Sequence, residues 1–102
     1  MDNQEFETYV EENSRIKDIF WEKALAYQNK LNDDRQPAKK WNDAEINRAI
    51  EKMYVPTIEN IYEKVQSGIR NKHATPQDWQ RFIDDNELFD NIELSMADIE
   101  FE

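Results

Sequence analysis

The side chains able to do chemistry in this chain are mostly carboxylates, and they crowd towards its C-terminal end. Between Asp85 and Glu102 stand seven acids and no base, with Leu88, Phe89, Ile92, Leu94, Met96, Ile99 and Phe101 threaded among them. Such a stretch is too charged for an ordinary buried element and too apolar for a plain solvating tail. It suits a surface that docks on a positively charged protein with apolar pockets, or on this chain's own basic middle. The expected partner-binding residues are therefore Asp84, Asp85, Glu87, Leu88, Phe89, Asp90, Ile92, Glu93 and Leu94. Trp21 joins them as an aromatic anchor on the flank of its helical stripe, since interface hot spots favour tryptophan.

Catalytic readings fail one by one. The only histidine, His73, sits in the basic turn Arg70-Asn71-Lys72-His73, where a helix-end role suits it better than that of a base. Ser14, Ser67 and Ser95 lie in no nucleophile motif. With Gly68 the sole glycine, neither a phosphate-binding loop nor a dinucleotide fingerprint can exist. A helical di-iron site needs Glu three residues before His, and that position is Arg70. The run Asp84 to Asp90 has calcium-loop flavour, but Leu88 takes the fifth position and the required glycine is missing. Glu7 with Glu11, and Glu59 with Glu63, lie one helical turn apart, as solvated pairs on charged helices commonly do. With no cysteine there is no disulfide, zinc–thiolate site or thiol nucleophile. The expectation is a protein without enzymatic activity, metal or cofactor.

The charge is uneven as well as large. Of a formal net −10, residues 1–34 carry −5, residues 35–73 carry +3 and residues 74–102 carry −8. Nucleic-acid binding rests on Lys and Arg contacts to phosphate, so this balance disfavours it, and anionic membranes with it. The only aromatic–basic cluster is Arg35, Lys39, Lys40 and Trp41, and Trp41 is better used as a helix staple. No apolar run approaches the roughly 20 residues of a membrane span. Asp2, Glu5 and Glu7 stand where a signal peptide would be basic. A cytoplasmic protein is expected.

The elements that position these residues read as helices. Asp2 with Glu5 forms a capping box, and Phe6, Tyr9, Val10, Ile16, Phe20, Ala24, Tyr27 and Leu31 follow as one stripe. This predicts one long helix over about 3–31, closed by the polar run ending at Pro37. Asn42 and Glu45 repeat the box, and Ile46, Ile50 and Met53 keep their phase with Ile58, Ile61, Tyr62 and Val65 beyond Pro56. One Pro-kinked helix over 43–70 is the favoured reading. Thr75-Pro76 starts a short third helix holding Trp79, Phe82 and Ile83, which ends at Asp84-Asp85-Asn86. Acids at that end oppose the helix dipole, so something else must want them there. Beyond it Ile92, Leu94 and Met96 alternate, as do Ile99 and Phe101. That period suggests either an extended segment seeking a partner's sheet edge or a tail laid over the helices.

The expected architecture is thus all-α. It is a small bundle of three to four helices spanning residues 1–85, with an acidic, partly extended tail over 86–102. The leading functional expectation is an acidic protein-binding module that modulates a basic, nucleic-acid-handling protein, by presenting carboxylates where phosphates would lie. Two alternatives stand beside it. One is an adaptor that docks its tail on a transcription or replication assembly. The other is self-assembly, with the first helix pairing across a two-fold axis in a homodimer.

Overall fold

The computed structural model describes residues 1–101; Glu102, last of the C-terminal acids, lies outside the described residues. The described residues are all-helical, in five α-helices: α1 (Asn3–Asn13), α2 (Ile16–Asp33), α3 (Asp43–Ile69), α4 (Pro76–Asp85) and α5 (Leu88–Ala97), with a 3-10 turn at Pro37–Lys39. Among the described residues no helix is long and apolar enough to cross a membrane.

The three expected starts are all present as reciprocal capping boxes: Asp2 with Glu5, Asn42 with Glu45, and Thr75 with Asp78. The central helix runs unbroken through Pro56. Proline deprives the Lys52 carbonyl of its donor there, and the neighbouring Thr57 hydroxyl donates to the Met53 carbonyl at 2.9 Å. The stripe Ile46, Ile50, Tyr54, Ile58, Tyr62 and Val65 is buried along its whole length.

Two expectations need correction. The long N-terminal helix is two helices, broken at Ser14, whose backbone is extended. Its hydroxyl turns back to donate to the Val10 carbonyl at 2.6 Å, and Asn13 donates likewise to Tyr9. Such short polar side chains offer the backbone an alternative to the helical ladder. The second correction is the C-terminal segment, which is helical over Leu88–Ala97 rather than extended, bringing the helix number to five. Phe89 and Met96, two turns apart, are buried, while Leu94 is 70 % exposed. The helical spacing prevails because it buries the larger side chains against the bundle, whereas an isolated strand has no ladder to join.

Helix α2 packs chiefly on α3 and α5; α4 touches α5 and α3, and α1 lies against α2 and α3. The body measures 53 × 23 × 21 Å, because the α2–α3 hairpin extends beyond the part covered by the other helices. At its tip Asn32 holds the loop, accepting from the Trp41 amide and Arg35 and donating to the Trp41 carbonyl. Arg35 lies 3.8 Å over the Trp41 ring.

Removing residues 86–102 would remove Phe89 and Met96 from this core. Truncating a buried Phe costs about 3–5 kcal/mol and a buried Met about 2–5 kcal/mol. A domain's whole stability is roughly 5–15 kcal/mol. A 1–85 chain should therefore lose its cooperative thermal transition, which circular dichroism melting would show directly.

Candidate functional site

The expected binding residues gather where α4 turns into α5. Asp84 and Asp85 end α4, Asn86 caps it, and Glu87 takes a left-handed backbone (φ 51°, ψ 38°) that swings the chain directly into α5. A non-glycine residue there costs roughly 1–2 kcal/mol. The corner is nevertheless tight, since the Glu87 amide donates to Asp84 and the Asn86 side chain to Phe82.

Asp84, Glu87 and Asp90 line one open cleft of about 280 Å³ together with Tyr9, Asn13, Ile83 and Phe89. Phe89 belongs to its lining but is a core residue. Its ring is mostly buried and lies 5.6 Å from that of Tyr9. A second cleft, of about 370 Å³, shares Tyr9 and is edged by Asp2, Glu5 and Glu12 of the α1 side. Neither cleft is lined by a lysine or arginine. Among the described residues only Lys17–Glu11 at 2.9 Å and Arg81–Asp78 at 4.0 Å come within ion-pair distance. Among the described residues no lysine or arginine comes within ion-pair distance of a carboxylate that lines these clefts, while Met1 with its terminal amine lies at the second.

The other expected residues are placed differently. Glu93 is half-buried and accepts a hydrogen bond from the Arg15 amide, where its charge opposes the positive end of the α2 dipole. Leu88 and Ile92 are half-buried on one flank of α5, and Leu94 points outward. Trp21 stands apart on α2, half-buried beside Tyr54, with the Lys17 ammonium 5.7 Å over its ring. Asp85 is exposed at the corner but lines neither cleft.

Sequence reasoning missed Tyr9, Asn13, Glu5 and Glu12. The signal was available: Glu5, Tyr9 and Glu12 recur at four and three residues on one face of α1. Among the described residues no group of three or more His, Cys, Asp or Glu side chains is placed to hold a metal ion. The chain matches no known family model, no curated protein sequence and no solved structure.

Burial raises the Tyr9 phenol above its ordinary 10.0, and the Asp84 charge raises it further. Tyr54 is raised by burial and then by Glu11, Glu7 and Asp18; Tyr62 by burial and then by Asp2 and Glu5. A folded state that holds these protons more tightly is favoured below pH 10 and loses that advantage as pH climbs past it. Stability should therefore fall on raising the pH from 9 to 12, as denaturant melts would report. Asp84→Asn should bring the Tyr9 pKa down towards, but not to, 10, because burial remains. Glu87→Gly should raise stability by about 0.5–1 kcal/mol, the relieved strain outweighing the added freedom of the unfolded chain. For a domain this small, 1 kcal/mol corresponds to roughly 4–8 °C in Tm.

Proposed function

We propose that this chain is a non-enzymatic, acidic protein-binding module that inhibits or modulates a basic, nucleic-acid-handling protein of the cytoplasm. One observation carries the reading. Asp84, Glu87 and Asp90 on one side of Tyr9, and Asp2, Glu5 and Glu12 on the other, edge adjoining clefts without a single lysine or arginine. A folded domain tolerates such a surface at the cost of self-repulsion, and a cationic partner relieves it. Fixed carboxylates around the half-buried Tyr9 ring offer such a partner both charge and contact, as a groove built for phosphates and bases would require.

The mechanism follows from the two components. Long-range attraction sets the encounter rate and is screened by salt within about 8–10 Å at ordinary ionic strength. Contact with the half-buried Tyr9 ring then holds the complex, mainly through its lifetime.

The test is comparative capture from host lysate, with the wild-type chain beside Asp84→Asn/Glu87→Gln/Asp90→Asn and identification by mass spectrometry. Amides keep the shape and remove the charge. The expected result is recovery of one basic, nucleic-acid-handling protein by the wild type, with at least tenfold less on the triple variant. Its association rate with the purified partner should fall as salt rises from 50 to 500 mM. Equal recovery by both chains, or an association rate indifferent to salt, would overturn the reading.

A further inference from the structure

Helix α5 has a flank that none of the described residues covers fully. Leu88, Ile92 and Ser95 follow one another at four and three residues and, with Ile99 just past the helix end, line an almost wholly apolar groove of about 280 Å³, with Met96 at its inner wall. That spacing is the seam of a coiled coil, the pattern by which one helix receives another. Phe89 and Met96, on the adjoining stripe, are already buried in the bundle, so the seam is rigidly presented. Its helical part, Leu88 to Ser95, runs ~10 Å, two turns at 1.5 Å per residue.

The surrounding charge decides what occupies it. From Phe82 to Phe101 there are seven acids and no base. A second copy of the chain, laid on the same seam, would bring two such sets together, and like charges across an interface oppose association. An amphipathic helix with an apolar stripe and lysine or arginine beside it satisfies both the groove and the charge.

We infer that the α5 seam docks an amphipathic, basic helix of the partner. This inference rests on the acidic-module reading and specifies the partner segment. The α4–α5 corner meets the partner's charge, and the seam beside it reads a helical shape. Charge alone would accept any polycation, whereas the seam demands apolar side chains at helical spacing, so specificity belongs to the seam.

A synthetic 18-residue peptide with leucine at the seam positions and lysine elsewhere serves as the probe. Its controls are a scrambled peptide of identical composition and a version with glutamate for lysine. Calorimetry with the full chain should give one-to-one binding of the probe, at least tenfold weaker binding of the scramble and none of the acidic version. Nitrogen-15 NMR shifts should concentrate at Leu88, Asn91, Ile92, Ser95 and Ile99. Ser95 is exposed, so Ser95→Arg leaves the core intact while filling the seam and adding a like charge to the probe's. It should keep the wild-type melting temperature and lose at least tenfold in affinity, whereas Ser95→Ala, making the seam more apolar, should tighten binding. Equal affinity for probe and scramble, or unchanged binding by Ser95→Arg, would overturn the seam and leave the acidic-module reading standing. If neither basic peptide binds, both fall. A dimer of the chain alone that Ser95→Arg dissociates would also overturn the inference, giving the seam to a second copy.

Discussion

The structure depends on Phe6. Its ring is wholly buried, and it meets Tyr62 of α3, Trp79 of α4 and Phe89 of α5 edge-on, with centroids 5.6, 6.0 and 6.3 Å away. Four helices thus converge on one aromatic side chain near the start of the chain. Edge-to-face pairs add about 0.5–1.5 kcal/mol each beyond the area they bury. The positions of α4 and α5, and therefore of the corner between them, are set by a residue some eighty positions earlier in sequence. Asp2 and Glu5 cap the helix that carries Phe6, so the local cap and the distant acidic corner belong to one cooperative unit.

Against this packing stands the charge. Twenty-three acids face thirteen bases, and only two ion pairs form among the described residues. Exposed pairs are worth little in any case, ~0–1 kcal/mol each, so more of them would not have rescued stability. The molecule solves the problem by geometry. Its buried surface is nearly free of charge, and most of the carboxylates stay in water where repulsion is screened. Glu93 is the instructive exception, half-buried because the α2 N-terminus supplies the positive potential that a side chain would otherwise have to provide.

Much of the fold was legible because local signals agreed with tertiary packing. The capping boxes at Asp2, Asn42 and Thr75 fix three starts, and α3 keeps its stripe phase across Pro56, so its continuity is readable from spacing alone. The break at Ser14 left its own mark. From Val10 to Ile16 the stripe steps by six residues, which no helical face does, and the two residues between that return hydrogen bonds are Asn13 and Ser14. The C-terminal segment was misread because Ile92, Leu94 and Met96 satisfy period two while Phe89, Ile92 and Met96 satisfy period three-and-four. Periodicity over so short a run cannot choose; the available aromatic pocket of Phe6 and Tyr9 does. Of the acidic face, the corner residues were visible as a run. The contribution of α1 was not, since it requires knowing which helix lies beside α4.

Glu87 binds these threads together. The chain has one glycine, and it sits at position 68, where a Cβ would come within 2.7 Å of the Phe82 ring. The close approach of α3 and α4 uses the residue best suited to a left-handed turn, and the α4–α5 corner is left to a glutamate. Strained backbone of this kind persists only where surrounding packing over-determines it, and Phe89 on one side and Ile83 on the other supply that packing. The corner therefore accepts backbone strain to place a carboxylate between the negative end of α4, beside Asp84 and Asp85, and the positive end of α5, of which Glu87 is the N-cap. Glycine would relieve the strain but forgo the attraction of that carboxylate to the α5 N-terminus. Glutamate there exchanges an easier turn for a charge at the head of α5, so two helix ends of opposite sign meet at one side chain.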